Sequence, residues 1–377
     1  MMKYSPGPRQ FAGLDTSQIM LQIVYACVPG VTIATWFFGY GFLINIAVAV
    51  ICALGFEVLA MKMRGQGPAS HLRDNSVIVT ALLFALTIPP GASLWLVVLG
   101  IGFAVLVAKH AFGGLGQNPF NPAMCGYLFL LLAFPLEMVS WHIPNDRMLE
   151  GQLLDGQLLQ NQSFSPLGWS GMQQSLIATF TFLSGENSTL VPDLDGLAMA
   201  TPLVEFKLAG TSALLSALDN GAALWSRDAG TGWELMNIGY LLGGIYLLSR
   251  RIITWHIPFS IIATLFALSG LFYAPNSFAI HGTPYLHLLG SATMLGAFFI
   301  ATDPVSAPTT ARGKLIYGVL IGSCIYCIRV WGSYLDSVAI AVIFGNFCAP
   351  LFDHLCRPRI FGQSRAQTPA ETGREPE

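Results

Sequence analysis

Three long windows of this chain, Ile19–Phe56, Val77–Ala108 and Ile252–Thr302, contain no Asp, Glu, Lys or Arg at all. About 20 consecutive apolar residues span a bilayer, so each window is long enough for roughly two crossings. The whole chain is 54% hydrophobic and only 10% charged, whereas a soluble domain carries about 25% charged residues. A polytopic membrane protein is the reading these numbers force. The first apolar run starts at Ile19 and is followed by many more, so it reads as a span and not as a cleaved signal peptide.

The spacing predicts an all-α protein of about ten transmembrane helices, near 19–38, 40–62, 76–89, 92–110, 123–141, 233–249, 256–273, 285–302, 314–330 and 336–354. The third span is short and ends at "TIPP", as a tilted or broken helix would. After the fourth, "GGLGQNPFNPA" holds too much Gly, Pro and Asn to continue a helix. Non-helical backbone at membrane depth survives only where it is buried in protein or lines a cavity.

Lys and Arg give the orientation. With the N-terminus cytoplasmic, 14 of the 18 basic residues fall on inside segments, leaving Arg147, Lys207, Arg227 and Arg329 outside. The organisation expected is a cytoplasmic segment 1–18, a first membrane half 19–141 and an extracytoplasmic loop 142–232. A second half 233–354 and a polar, partly disordered cytoplasmic tail 355–377 follow. Five spans in each half is an odd number, so a repeat between the halves would be inverted. "NSVIVTALLFALTIP" can be laid over "GSATMLGAFFIATDP", which puts Ser76, Thr87 and Pro89 on Ser291, Thr302 and Pro304. Inverted repeats place binding sites at broken helices near the midplane. Chance similarity between two apolar segments is the competing explanation.

Net charge is −2, and no basic patch suggests nucleic-acid binding. "CIYC" (Cys324–Cys327) lies inside a span without a second pair, and reads as two helix-borne thiols. His281 and His287 are haem-ligand types, but a loop residue and an interfacial one explain them more simply. Ionisable groups at membrane depth cost at least roughly 2.5–3.5 kcal/mol on insertion scales. Glu57 and Asp303 are therefore candidates for a cation or proton path. Against this, Glu57 could snorkel beside Lys62, and Asp303 before Pro304 could simply end its helix. Asn118 and Asn121, each before a proline, are candidate cavity walls, or else satisfy backbone groups freed by Pro119 and Pro122. In the loop, "DGLAMATPL" (Asp195–Leu203) offers an exposed threonine hydroxyl near a carboxylate, which alone is ordinary.

Taken together, "GGLGQNPFNPAMCGY", "DGLAMATPL", "ITWHIP", "HLLGSATMLGAFFIATDPVSAPTTARGKLIYG" and "RPRIFG" carry a resemblance. The chain resembles the RnfD (RsxD) family, the D subunits of the Rnf ion-translocating electron-transport complex, which are related to NqrB of the sodium-pumping NADH:quinone reductase. The resemblance runs from about residue 10 to 362. It implies a flavoprotein subunit of a bacterial inner-membrane translocase, with both termini cytoplasmic and the loop periplasmic. In this family a flavin transferase esterifies FMN through its phosphate to a loop threonine, in a pattern like Asp-x-x-Ser/Thr-(Gly)-Ala-Thr. Asp195, Ala200 and Thr201 match that pattern, so Thr201 is the expected acceptor. Ala198 and Met199 depart from it, where Ser or Thr and then Gly are usual. A second Ser-Ala-Thr, at Ser291–Thr293, lies within a span and lacks the upstream Asp. The resemblance also implies non-covalent riboflavin among the helices, and partners in the A, B, C, E and G subunits of the Rnf/Rsx complex besides the lipid bilayer. Electrons would be relayed through the FMN, coupled to Na⁺ or H⁺ movement. A flavin-free channel or secondary transporter is the alternative, because fold does not decide function.

Overall fold

The computed structural model describes residues 15–65, 73–139, 141–142, 172–173, 176, 198–199, 231–273, 282–332 and 337–356. In chain order the helices are α1 (Thr16–Phe38), α2 (Gly41–Met63), α3 (Ser76–Thr87) and α4 (Leu94–Gly102), the last running on as a π-helix over Phe103–His110. Then come α5 (Pro122–Ala133) and α6 (Pro135–Val139), followed by two short strands, β1 (Trp141–His142) and β2 (Ala198–Met199). The remainder are α7 (Thr231–Ser249), α8 (His256–Leu271), α9 (Pro284–Leu289), α10 (Thr293–Leu295, extended by a π-helix over Gly296–Ile300), α11 (Ala311–Val330) and α12 (Val338–Leu355).

Four of these, α1, α2, α11 and α12, are long and apolar enough to cross a membrane. Shorter apolar helices accompany them at Ser76–Thr87, Leu94–His110, Pro122–Ala133 and His256–Leu271. At 1.5 Å per residue the 23 residues of α1 extend about 35 Å, slightly more than a hydrocarbon core. Trp36, Ile51, Leu271 and Phe347 are all more than 60% exposed on the outside of the bundle. Such a surface suits lipid and not water.

Inside, the helices meet through small residues. A Cβ added at Gly243 of α7 would lie 1.9 Å from the Ala26 carbonyl oxygen of α1, and one at Gly239 would lie 2.9 Å from the Gly30 Cα. The Gly239-x-x-x-Gly243 spacing presents both glycines to α1, so the backbones approach as small residues in membrane helices permit. On α11, Gly318 and Gly322 meet Ile257, Ser260 and Thr264 of α8 in the same way. The strongest pairings are α1 with α7 and α8 with α11; α2 packs on α3 and α4, and α5 meets α12.

The "GGLGQNPFNPA" segment is non-helical over 111–121, as its composition predicts. Two expectations about continuity need correction. The span predicted over 123–141 stops at Ala133, and a separate short helix, α6, follows Phe134. The span predicted over 285–302 is interrupted between Leu289 and Thr293, where Gly290 and Ser291 give the backbone its freedom. The freed groups there are satisfied by buried side chains. Asn237 Nδ2 donates to the Leu289 carbonyl (2.8 Å) while its Oδ1 accepts from Met294 N (3.1 Å). Arg329 donates to the His287 carbonyl (2.5 Å), to Thr293 Oγ1 (2.9 Å) and to Ser337 Oγ (2.9 Å). Arg329, counted among the outer cations, is thus a buried clamp on the break.

Gly243→Leu should separate α1 from α7, because no rotamer avoids a Cβ that overlaps a backbone oxygen. Overpacking of this kind costs typically 1–3 kcal/mol, occasionally more. A clear downward shift of the melting midpoint is expected, read with a thiol-reactive dye as buried Cys27 becomes exposed.

Candidate functional site

Two cavities lie between the halves. The larger, of about 370 Å³, sits at the end of the bundle that holds the first turns of α1 and α3. Its wall includes Ser76, Thr80, Lys109, Asn118, Asn121, Phe298, Phe299, Thr302 and Asp303. Both asparagines and Asp303 therefore face one space, although 182 residues separate Asn121 from Asp303 in sequence.

Each polar group is held by its own local geometry. Asn121 caps α5, its Oδ1 accepting from Ala123 N (3.0 Å) and Met124 N (3.3 Å), while Nδ2 reaches the Ile300 carbonyl (3.2 Å). It thus does the structural work expected after Pro119 and also lines the cavity. Asn118 donates to the Phe120 carbonyl (3.0 Å), but its Oδ1 has no partner, and the residue is only 4% exposed. A buried acceptor without a donor loses about 1–3 kcal/mol, so Asn118 is suited to a ligand N–H. Asp303 accepts from Ser306 Oγ (2.8 Å) and Val305 N (3.4 Å) in the turn after the π-helix. It both ends that helix and faces the cavity.

Glu57 does not reach out toward Lys62. It is 1% exposed and meets two partners at the end of the π-helix: Lys109 Nζ at 2.9 Å from Oε1, and His110 Nε2 at 2.8 Å from Oε2. Lys109 also donates to Ser76 Oγ (3.0 Å), which in turn donates to Asp74 Oδ1 (2.7 Å). Lys109 and His110 were missed in the sequence because both close a charge-free window, where a cation reads as an interfacial anchor. Only the adjacency of two basic groups at one span end hinted otherwise.

The smaller cavity, of about 60 Å³, lies nearer the opposite end. Its wall is apolar and aromatic, with Tyr127, Trp141, Trp233, Met236 and Tyr240. Trp141 and Trp233 pack at a centroid distance of 4.9 Å, and Phe38 stacks edge-on to Trp233 at 5.2 Å. The π-helix divides the cavities: Phe298 and Phe299 face the larger, Ile300 the smaller.

Thr201, Asp195 and Ala200 lie outside the described residues. Their neighbours Ala198 and Met199 form β2, which pairs antiparallel with β1, Met199 opposite Trp141 and Ala198 opposite His142. That sets Ala198 and Met199 against β1, whose Trp141 lines the smaller cavity. The other Ser-Ala-Thr is closed off: Thr293 is 1% exposed, donates to the His287 carbonyl (2.9 Å) and accepts from Arg329.

Glu57→Gln leaves a buried ammonium without its counter-charge, a change that costs about 3–5 kcal/mol when a buried pair is broken. Adding Lys109→Met to Glu57→Gln should recover much of that loss. Melting midpoints of the two single variants and the double variant test this; strict additivity would show that the pair is not coupled.

Comparison with known proteins places these observations. Residues 3–362 match the model of the NQR2, RnfD, RnfE family. Proteins named as the D subunit of an ion-translocating oxidoreductase complex are similar over nearly the full length. The one from Yersinia enterocolitica is 42% identical over 366 residues, covering 97% of this chain and 99% of that protein. The one from Yersinia pseudotuberculosis is 44% identical, covering 96% and 98%. The one from Aeromonas hydrophila is 42% identical, covering 93% and 96%. A match from residue 3 to residue 362, on a helical chain with apolar membrane-length spans, makes this chain a member of the NQR2, RnfD, RnfE family.

Proposed function

We propose that this chain is the flavin-carrying membrane subunit of an ion-translocating oxidoreductase complex, relaying electrons through FMN esterified to Thr201 and coupled to Na⁺ or H⁺ movement. The relatives' shared name, the D subunit of such a complex, supports the complex. The observation that carries the flavin is the Asp195…Ala200-Thr201 segment, which enters β2 beside Trp141. From Met199 to Thr201 the chain reaches at most about 7 Å. An isoalloxazine ring attached there would lie within reach of the Trp141–Trp233 wall. A phosphoester on threonine leaves the ring chemically unaltered, so burial and hydrogen bonding would set its potential. Attachment to this residue needs a flavin transferase. The rest of the complex, its A, B, C, E and G subunits, would supply and accept the electrons.

The larger cavity suits a second, non-covalent flavin such as riboflavin. Phe298 and Phe299 offer ring faces, the Asn118 Oδ1 lacks a donor, and Lys109 and Asp303 stand on the wall. Its 370 Å³ is of the size that holds a small organic ligand. Asn118 and Asn121 would orient the ring, while the apolar lining would exclude water. Phe298, Phe299 and Tyr240 stand between the two cavities; Tyr240 contacts Phe299 edge-on at 6.1 Å.

We read the membrane topology as ten crossings, in halves 19–141 and 233–354, with the inverted relation expected. Taking α6 with α5, and α10 with α9, reduces the helices to ten. The pairings then repeat between halves: first with first (α1–α7), fifth with fifth (α5–α12), and second on fourth (α2–α4 and α8–α11). In this reading both termini and the larger cavity are cytoplasmic, and the 142–232 loop is periplasmic, on the positive-inside rule. The bacterial inner membrane is the location that follows. Glu57 and Asp303 remain the acidic groups proposed for the ion path. A flavin-free channel or transporter has no use for the Thr201 segment.

Two measurements test the reading. In-gel fluorescence of the denatured chain, coexpressed with the flavin transferase, should be bright for wild type and dark for Thr201→Val. A dark wild-type band beside a fluorescent control substrate would remove covalent FMN. Thr80→Trp, which fills the larger cavity, should lower the acid-extractable flavin of the purified complex while leaving the covalent band unchanged.

A further inference from the structure

Glu57, Lys109 and His110 are more than a stabilising pair. If their role were only to neutralise a buried charge, one cation would suffice, yet two basic groups share one carboxylate. The two open onto different places. Lys109 is on the wall of the larger cavity and is 2% exposed. His110 sits on the other side of the carboxylate, and its Nδ1 is buried without a partner. A glycine turn passes over that nitrogen. Gly114 adopts φ +97°, and a Cβ there would lie 3.7 Å from the His110 ring nitrogen and 3.3 Å from Arg64 Nη1. A glycine, with no side chain to cover the ring, and an exposed guanidinium therefore border that acceptor on its outer side. Local opening of this turn would admit a water between the two, and two polar partners are what a bridging water needs. Arg64 itself is exposed and anchored to the Gly113 carbonyl (2.8 Å), so the turn lies at the aqueous rim.

We propose that His110, Glu57 and Lys109 form a proton relay from the aqueous rim at Arg64 to a redox-active heteroaromatic ring in the larger cavity. This rests on the reading of that cavity as a flavin-type site. The complex's own electron-transfer chain supplies one electron to the ring, and Lys109 supplies one proton: its Nζ–H bond breaks and an N–H bond forms on the ring. Glu57 then takes the Nε2 proton of His110 as Nδ1 binds a proton from water. Rotation of the Glu57 carboxyl returns a proton to Lys109, and His110 regains its starting tautomer by turning its ring to the rim, where Nδ1 gives its proton to water and Nε2 takes one from water. The net transfer is one proton from water to the ring, accompanying one electron. Every charged or titratable group that meets the relay among the described residues has a place in it. Ser76 and Asp74 on α3 hold the Lys109 ammonium, Arg64 borders the entry, and Asp303 faces the same cavity across the ring site.

Lys109→Arg separates relay from structure, because arginine keeps the positive charge beside Glu57 but is not deprotonated in proteins. His110→Gln is the second variant: it retains an N–H for Glu57 and relays nothing. The measurement is anaerobic stopped-flow on the purified complex, following flavin absorbance together with a pH-indicator dye. Acid-extractable flavin is counted first. With wild-type flavin content, both variants should take up protons at least about tenfold more slowly, a modest share of the 10²–10⁴ that positioned proton transfer contributes. Added imidazole should restore uptake in His110→Ala. Wild-type uptake in Lys109→Arg or His110→Gln overturns the relay while leaving the flavin reading intact. Absence of extractable flavin from the wild-type complex overturns the cavity reading, and the relay with it.

Discussion

Lipid offers no hydrogen bond to a backbone group, and that fact decides where this chain can depart from a helix. Three of the departures among the described residues are met by buried polar side chains. Where α3 ends at the "TIPP" turn, Asn45, fully buried on α2, donates to the Pro89 carbonyl at 2.9 Å. At the start of α5, Asn121 caps the helix and also reaches across to Ile300. At the break between α9 and α10, Asn237 and Arg329 divide the freed groups between them. A side-chain amide is suited to this because one group both donates and accepts. These residues look like isolated polar intrusions in an apolar sequence, yet they are what lets the helices stop where the cavities begin.

The cavities follow from those interruptions together with the tight contacts elsewhere. Gly30, Gly239 and Gly243 draw α1 onto α7, and Gly318 and Gly322 draw α11 onto α8. With the periphery fixed in this way, the shortened α3, the non-helical 111–121 segment and the broken α9–α10 leave unfilled space between them. Asn346, with its amide turned to satisfy both neighbours, donates to the Tyr317 hydroxyl (2.6 Å) and accepts from Asn121 N (3.0 Å). That links α12 and α11 to the cavity wall. The site is thus supported by both halves of the chain, and rigidity in one is felt in the other.

Much of the fold was legible because hydropathy reports burial in lipid directly. The Ile19–Phe56 window reads as two crossings, and the chain does turn at Gly39 and Tyr40 between α1 and α2. What hydropathy cannot report is backbone continuity. Gly290 and Ser291 are small enough to pass as part of a span, so the break beside them was invisible. Counting charges does not report burial either, because a cation at a span end need not face water. Lys109 and Arg329 are both 5% exposed or less. Asn118, Asn121 and Asp303 were recognisable singly, from prolines and from membrane depth, but nothing local could reveal that they share one cavity with Lys109. The carboxylate behind that lysine needed three dimensions.

The two π-helical stretches carry a consequence for how such a chain can change over generations. Each holds more residues per turn than an α-helix, so the side chains that follow it are indexed to a specific count. Phe298 and Phe299 look into one cavity and Ile300 into the other, while Lys109 and His110 meet opposite oxygens of one carboxylate. Replacing any single side chain leaves that indexing alone. Losing or gaining one codon in Phe103–His110 or Gly296–Ile300 would turn everything beyond it by about 100°. These thirteen positions should therefore tolerate drift in identity far better than drift in number, and length is the trait that selection would guard there.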